Sequence, residues 1–300
     1  MAPTECKNSN ISLWSLNADG IRNKFDELKL RIIQSLRKPD VILICESHLS
    51  KNEVFPVEID GYESFRKNRT KHGGGVLAYV KNELCPIDEP SFSPKKTSKH
   101  EFLWIRINSN KRKLYLCCIY RPPSADESVF DTLDNLVQEI CVSKGHPIVL
   151  MAGDMNAHNH TWLGSCDSKG AAKTDDAGIA CENLCISRDL VQMVHFPTHR
   201  IESDKMISCI DLILTNQEEA VQSINHFHPL GKSHHVIISA EIHINANRKD
   251  KPPIQKQPNF RKADWTAIGE FLEGATCVTQ KTCRQTWAHT KTQYNVTRPI

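Results

Sequence analysis

The feature that most constrains this chain is a short apolar run that ends abruptly in polar residues, PIVLMAGDMNAH, starting at Pro147. Residues 148–152 predict a short strand that is buried on both faces. Gly153 then permits a turn, and Asp154 and Asn156 follow. If the chain stays extended there, their side chains point to the same side. A carboxylate and an amide so placed suit phosphate chemistry, although an Asp/Asn turn after a strand is the competing interpretation.

An earlier segment repeats this pattern. Residues 11–16 alternate apolar and polar side chains, which predicts a strand. Asn17 and Asp19 follow it, again two residues apart, with Gly20 at the turn. The chain therefore places a second amide and carboxylate beyond the end of a strand.

Glu46 ends a third apolar run, at residues 41–45. A charged residue directly after a buried strand is costly to place unless it lies at the mouth of a site. Considered together with Asp19 and Asp154, Glu46 is interpreted as a metal ligand. A carboxylate in water at the strand end is the alternative.

The remaining periodicities predict a mixture of strands and helices. Helices are predicted at 24–37, 127–141 and 176–187, and further strands at 61–67, 75–81, 102–107, 114–120, 190–194, 208–215 and 236–244. Tyr120 ends one of these strands, and Pro122 and Pro123 follow closely. Because proline stops the ladder, the Tyr120 phenol can face a cleft.

Asp211 interrupts an apolar strand, where an unpaired charge would be expensive. We expect a buried partner for it, and histidine is a natural one. His235 precedes the last predicted strand and is a candidate, since an Asp–His pair fixes the imidazole tautomer and stabilises its cation. A histidine-rich surface loop is the competing interpretation.

A basic, glycine-rich loop, RKNRTKHGGG, joins the strands predicted at 61–67 and 75–81. Its backbone amides and the side chains of Arg66, Arg69 and Lys71 can hold a nucleic-acid backbone, although a flexible charged hairpin is as compatible. The loop lacks Walker spacing, so nucleotide binding is not expected. Further basic groups occur at residues 95–99 and 111–113.

The net charge of +3 is unevenly distributed. Residues 248–300 hold ten Lys/Arg and four Asp/Glu, so residues 1–247 carry a net charge of −3. An acidic body with a basic tail fits a metal site in the body and a polyanion near the tail, and a solvated linker fits the tail equally well. Because the composition shifts here, we predict one domain over residues 1–246, and a basic linker with a partial helical segment over 247–300.

The chain lacks the signals of membrane insertion and secretion. No run approaches ~18 apolar residues, and the N-terminus has no apolar signal region. The 12 cysteines show no CxxC pair, which favours reduced thiols over a disulfide framework or a zinc site. These patterns predict a nuclear or cytoplasmic protein.

Seven phrases, in this order, resemble the endonuclease/exonuclease/phosphatase superfamily, and within it the endonuclease domains of LINE-type retrotransposons. They are SLNADGIRNKFDEL, ICESHL, HGGGVLAYVKN, IYRPP, AGDMNAHN, FPTHR and SCIDLILTN. The resemblance covers about residues 11–244, and its specificity lies in the order and spacing of the phrases. PNFRKADW, from Pro258, is similar to the segment that leads toward the reverse transcriptase in such polyproteins.

This resemblance implies a four-layer α/β sandwich, with two packed mixed sheets flanked by helices and an active site at one end of the sheets. It implies Mg²⁺, or Mn²⁺, held chiefly by Glu46 with help from Asp19. The catalytic residues carried over are Asn17, Glu46, Tyr120, Asp154, Asn156, Asp211 and His235.

The roles implied by the resemblance follow the chemistry of phosphodiester hydrolysis. Asn17 and Asn156 would orient phosphate and water, and Tyr120 would contact the phosphate. Asp154 would activate the attacking water or protonate the leaving oxygen. In the last motif, Asp211 would support His235 as a base or phosphate stabiliser.

The implied activity is nicking of target DNA for retrotransposon integration. DNA is the expected partner and the element's RNA a second candidate, while no membrane is expected. The residues assigned to DNA are Arg66, Arg69, Lys71, Arg121 and Thr198. Two alternatives stay open: a phosphodiesterase of the superfamily that acts on abasic DNA or another substrate, and a decayed or domesticated copy that only binds nucleic acid.

One departure from the family pattern lies in the last motif. The family usually reads Ser-Asp-His, whereas this chain reads Ser233-His234-His235. A histidine at the middle position removes a negative charge beside the metal and the phosphate. We therefore expect weaker metal binding or a lower rate, with Asp19 partly compensating.

Overall fold

The computed structural model describes residues 10–53, 57–94, 100–109, 112–163, 173–201 and 205–244, together with Thr266. The basic group at 95–99, Lys111, the linker at 248–253 and all but Thr266 of the tail helix lie outside these residues. The chain divides into two compact units, Met1–Pro253 and Ile254–Ile300.

The described elements of the first unit are fourteen strands and three α-helices, besides short 3-10 turns. The strands are β1 (Asn10–Asn17), β2 (Val41–Cys45), β3 (Tyr62–Lys67), β4 (Val76–Lys81), β5 (Ile87–Asp88), β6 (Glu101–Ile107), β7 (Leu114–Tyr120), β8 (Ile148–Asp154), β9 (Val191–Gln192), β10 (His199–Ile201), β11 (Lys205–Ser208), β12 (Asp211–Thr215), β13 (Val221–Phe227) and β14 (Ile237–His243). The helices are α1 (Phe25–Gln34), α2 (Ser128–Ser143) and α3 (Asp176–Arg188). Among the described residues, no helix is long and apolar enough to cross a lipid bilayer.

The strands form two six-stranded sheets and a separate ribbon. One sheet has the order β13-β14-β1-β2-β4-β3, the other has the order β5-β6-β7-β8-β12-β9, and β10 pairs with β11. The neighbours β1 and β2 are parallel, as are β7 and β8, while their other neighbours are antiparallel, so both sheets are mixed. Helix α1 covers the outer face of the first sheet, and α2 and α3 pack together beside the second. The predicted four-layer α/β sandwich is confirmed.

The apolar run of β2 shows why its strand could be predicted. Val41, Leu43 and Cys45 belong to the cluster between the sheets, whereas Ile42 and Ile44 belong to the cluster under α1. Since both faces are covered, alternation disappears and every side chain is apolar.

Two predicted strands are shorter than expected because polar side chains replace ladder contacts. The strand predicted at 190–194 shrinks to β9, where the Gln192 amide bonds both to the N–H and to the carbonyl of Val194. The strand predicted at 208–215 begins only at Asp211, as β12, since the Thr198 hydroxyl accepts the N–H groups of Ile210 and Asp211. Strand β13 was not predicted, because it is an exposed edge without an apolar pattern.

Candidate active site

Four neighbouring strands of the second sheet carry polar residues at one level, here called the strand-end row. The row consists of Glu101 on β6, Tyr120 on β7, Asp154 on β8 and Asp211 on β12, each directly opposite the next in register. All four side chains are largely buried. The fold therefore concentrates three carboxylates and a phenol at one end of the sheet.

Asn17, at the end of β1, links this row to the first sheet. Its Nδ2 donates to Glu46 Oε1 and to Asp154 Oδ2, each at 2.8 Å. Its Oδ1 accepts the backbone N–H of Asp19 at 2.9 Å. One buried amide thus contacts three of the predicted acidic residues.

Gly153 has a different role from the predicted turn, since it lies within β8. Its φ is +146°, and a Cβ there would lie 2.0 Å from the carbonyl oxygen of Ile119 and 2.9 Å from Cys45 Sγ. Glycine therefore allows β8 to approach both β7 and the opposite sheet. The following Asp154 N–H reaches Cys45 Sγ at 3.3 Å.

Extended geometry does not persist to Asn156, whose φ is +44°. Its N–H donates to Asp154 Oδ1 at 3.1 Å, which forms the Asx turn that was the competing interpretation. Its Nδ2 donates to the Arg121 carbonyl at 2.8 Å. Asn156 therefore holds the Asp154 carboxylate in place through its backbone N–H, while its side chain bonds to the Arg121 carbonyl.

Asp154 lies at the centre of the site and is 1 % exposed. Burial and the neighbouring Asp211 carboxylate raise the pKa of Asp154 to about 7, although His235 and Asn17 act in the opposite direction. A carboxyl group with a pKa near neutrality can both take up and release a proton at physiological pH.

Asp211 has the histidine partner that its place in an apolar strand predicted. His235 Nδ1–H donates to Asp211 Oδ2 at 2.8 Å, and His235 Nε2 lies 3.9 Å from Asp154 Oδ2. Burial lowers the pKa of His235, but the Asp211 carboxylate outweighs it and raises this pKa to about 9. The imidazole is therefore a cation at neutral pH, held between two carboxyl groups.

Glu46 faces the same centre from the first sheet. Burial raises its pKa, but hydrogen bonds from His48 and Asn17 outweigh this and lower it, so the carboxylate stays ionised. The Tyr120 hydroxyl also bonds to Glu46, and burial together with the Glu46 and Asp154 charges raises the pKa of Tyr120. The phenol is therefore a protonated donor within the site.

The donor set fits a divalent metal ion. Ligand atoms of Asp19, Glu46 and His48 all lie within 4.8 Å of one another. Two carboxylates near solvent offer the oxygen ligands that Mg²⁺ and Mn²⁺ prefer while leaving places for water. Sequence reasoning missed His48, for which the only signal was its place two residues after Glu46 in ICESHL.

The basic loop lies against this metal group. The N–H groups of Ser47 and His48 donate to the carbonyls of Gly75 and Gly74, both at 3.0 Å. Arg69 pairs with the buried carboxylate of Glu101 at 2.5 Å. The sequence did not predict Glu101 as a site residue. The loop is thus joined to the segment that carries Glu46, while the side chains of its predicted DNA contacts, Arg66, Arg69 and Lys71, are exposed.

Arg121 is not placed to contact DNA, contrary to its prediction. It is 4 % exposed, and its guanidinium donates to the backbone carbonyls of Ala125, Asp126 and Asn156. The hydrogen bonds of its guanidinium therefore stabilise the turn that follows β7.

Thr198 is also misassigned to DNA, because its side chain is fully buried. Its hydroxyl accepts the N–H groups of Ile210 and Asp211, both at 3.1 Å, and its carbonyl accepts the Val236 N–H at 2.9 Å. Thr198 therefore positions the backbone on which Asp211 and His235 are carried.

Replacing Thr198 with valine is expected to lower the free energy of unfolding by about 1–3 kcal/mol, since two buried N–H groups lose their acceptor. DNA affinity should stay unchanged. Urea unfolding and equilibrium DNA binding measure the two quantities, with Thr132→Val on α2 as the control. A variant of native stability with tenfold weaker DNA binding would restore the DNA-contact assignment.

Comparisons with known proteins agree with this geometry. A family described as endonuclease-reverse transcriptase matches residues 114–239, a span that holds Tyr120, Asp154, Asp211 and His235. No curated protein matches the sequence.

Several solved structures share the fold. The endonuclease domain of TRAS1, a telomere-specific non-LTR retrotransposon, has a TM-score of 0.60 and 17 % identity over 78 % of this chain and 99 % of that domain. The AP endonuclease LMAP from Leishmania major has a TM-score of 0.62 and 13 % identity, with coverage of 78 % and 88 %. The catalytic domain of Xenopus laevis APE2 has a TM-score of 0.56 and 17 % identity, with coverage of 84 % and 99 %.

Proposed function

We propose that the chain is a divalent-metal-dependent endonuclease of the endonuclease/exonuclease/phosphatase superfamily and that it nicks one strand of target DNA for retrotransposon integration, a proposal supported by the family match over residues 114–239 and by the shared fold. One observation carries the proposal. Asn17 joins Glu46 of one sheet to Asp154 of the other, and the Asp211–His235 pair lies beside Asp154. This arrangement supports the proposal, because it brings the proposed metal ligand, proton carrier and cation together.

The chain's own residues supply the functions that hydrolysis of a phosphodiester requires. A Mg²⁺ or Mn²⁺ ion bound by Glu46 and Asp19 would neutralise charge on the phosphoryl oxygens. Asp154, with a pKa near neutrality, takes a proton from the attacking water or returns one to the leaving oxygen. The His235 cation and the Tyr120 hydroxyl stabilise negative charge on the phosphate.

The exposed cations of the glycine-rich loop support a nucleic-acid substrate. Arg66 lies near the end of β3, and Arg69 and Lys71 lie on the loop that follows, whose backbone is bonded to Ser47 and His48, next to Glu46. A phosphate backbone bound there would pass beside the metal group. DNA is the proposed partner, and the element's RNA is a second candidate.

Conversion of supercoiled plasmid to open circle tests the function. We expect nicking with Mg²⁺, none with EDTA, and cleavage of an intact duplex at a rate comparable to that of a duplex with one abasic site. A strong preference for the abasic duplex would replace the proposal with an AP endonuclease, the activity named for the structure from Leishmania major. A folded protein that binds DNA without nicking it would support the binding-only alternative.

His234 provides a separate prediction, since it stands where the family usually has aspartate. It is exposed, and its ring centroid lies 6.3 Å from that of His199. His234→Asp restores the negative charge that the family pattern has beside the metal, so we expect about tenfold tighter Mg²⁺ binding and faster nicking. Nicking rates over a Mg²⁺ titration measure both effects, with His228→Asp on an exposed turn as the control. Unchanged Mg²⁺ dependence and rate would refute the effect.

A further inference from the structure

Three neighbouring polar residues have left-handed backbones, which side-chain-bearing residues rarely adopt. The φ angles are +42° at Asp19, +51° at Glu46 and +51° at His48. Such conformations cost free energy and persist where the surroundings enforce them, often at ligand sites. The same three side chains bring their ligand atoms within 4.8 Å of one another. Asp19 and Glu46 are the expected metal ligands, whereas His48 has no role in the proposed mechanism.

We propose that His48 binds the divalent metal directly through Nε2, beside Glu46 and Asp19, and thereby biases the site toward Mn²⁺ over Mg²⁺. This inference rests on the proposed function, because it concerns the metal of the same site. It adds a nitrogen ligand to a centre whose expected ligands are oxygens.

The distance between the two nearest ligand atoms supports this role. His48 Nε2 lies 3.0 Å from Glu46 Oε2. Adjacent ligands of an octahedral ion with bonds of roughly 2.1 Å are also about 3.0 Å apart. The other carboxylate oxygen, Oε1, is already bonded by Asn17 Nδ2 at 2.8 Å. The spacing of His48 Nε2 and Glu46 Oε2 therefore already matches that of two adjacent ligands of such an ion.

The imidazole is held in this orientation by its surroundings. A Cβ on Gly20 would lie 3.1 Å from His48 Nδ1, so the ring packs directly over the glycine. The His48 N–H donates to the Gly74 carbonyl, and the Gly20 N–H donates to the Glu46 carbonyl at 2.8 Å. These contacts leave Nε2 directed at Glu46, as expected of a preorganised ligand.

Exposure and ligand chemistry point to the identity of the ion. The Asp19 side chain is 56 % exposed, which leaves access for water and a phosphate oxygen. Mg²⁺ strongly prefers oxygen ligands, whereas imidazole nitrogen suits first-row transition-metal ions. Replacing one oxygen by His48 Nε2 therefore reduces the relative affinity for Mg²⁺.

Pulsed EPR of Mn²⁺ bound to the full chain, without DNA, tests the inference. We expect hyperfine coupling to an imidazole nitrogen that changes when the histidines carry ¹⁵N and that is lost in His48→Asn. Asparagine tolerates the left-handed backbone while removing the imidazole. The matched control is His146→Asn, because His146 has a φ of +53° and precedes β8, at the end of that strand opposite Asp154. In competition titrations, His48→Asn should reduce the preference for Mn²⁺ over Mg²⁺ about tenfold.

Absence of nitrogen coupling in the wild-type protein would overturn the inference, and so would coupling that survives in a folded His48→Asn. The ¹⁵N experiment establishes that the nitrogen belongs to a histidine, and His48→Gly, which also accepts the left-handed backbone, identifies the residue if His48→Asn does not fold. Metal-dependent nicking without nitrogen coupling would remove His48 from the ligands and leave the proposed function standing. Nitrogen coupling without nicking would support His48 as a ligand and count against the nuclease.

Discussion

Asp154→Asn is expected to slow plasmid nicking on the order of 10³-fold. Asparagine keeps the shape of the side chain but cannot exchange a proton. It also removes the negative charge on Asp154. In the wild type, Asp154 Oδ2 accepts from Asn17 Nδ2 at 2.8 Å and lies 3.9 Å from His235 Nε2. Initial rates of open-circle formation at saturating Mg²⁺ measure the effect.

The matched control is Asp26→Asn, which makes the same chemical change on an exposed face of α1. We expect it to nick at the wild-type rate. If Asp154→Asn were folded and within about threefold of the wild type, proton transfer at Asp154 would not contribute to the rate.

Asp211→Asn is expected to lower the pKa of His235 from about 9 toward its ordinary value near 6.5, because the Asp211 carboxylate contributes most to raising it, ahead of Asp154 and Glu46. At pH 8 the wild-type imidazole is a cation, whereas that of the variant is neutral. Loss of this charge next to the phosphate should slow nicking about 10²-fold at pH 8. An NMR titration of the His235 ring in the metal-free protein measures the pKa, and plasmid nicking measures the rate.

The same pair makes stability depend on pH. His235 has a raised pKa in the folded state, so its stabilising contribution is fully present below pH 6.5 and is lost as pH rises through about 9. The wild type should therefore lose up to about 3 kcal/mol of unfolding free energy over this interval, whereas Asp211→Asn should lose much less. Parallel pH dependence in the two proteins would show that Asp211 does not hold the His235 charge.

Elements buried on both faces could be predicted from sequence with nearly correct bounds. The strands Val41–Cys45 and Leu114–Tyr120 match their predictions because every side chain on them is apolar or aromatic and every one is buried. Strand β13 escaped prediction because it is an edge whose side chains mostly face solvent. Apolar periodicity reports burial, so it carries little information about an exposed strand.

The parts of the site that follow from the free-energy cost of burying an unpaired charge could also be predicted. A charge inside the apolar strand β12 required a partner, and the structure supplies His235 to Asp211. The family pattern correctly brought Arg121 and Thr198 near the site but gave no indication that both are buried. Their side-chain directions depend on turns whose hydrogen bonds join distant segments, such as Thr198 to Asp211.

His48 and Glu101 were missed for a related reason. The contacts that hold them come from other parts of the chain: Gly20 packs against the His48 ring, and Arg69 reaches Glu101. No local pattern distinguishes these residues from ordinary polar residues near strand ends. Their importance becomes visible only when the two sheets are packed.

The most direct test of a metal-dependent nucleolytic centre at these strand ends is the nicking rate of Glu46→Gln in Mg²⁺. Glutamine retains a side chain of the same size that can still meet Asn17, but it lacks the negative charge that would hold the ion. We predict a folded, DNA-binding protein that leaves supercoiled plasmid intact. Wild-type nicking by Glu46→Gln, with unchanged sensitivity to EDTA, would contradict the assignment of this centre.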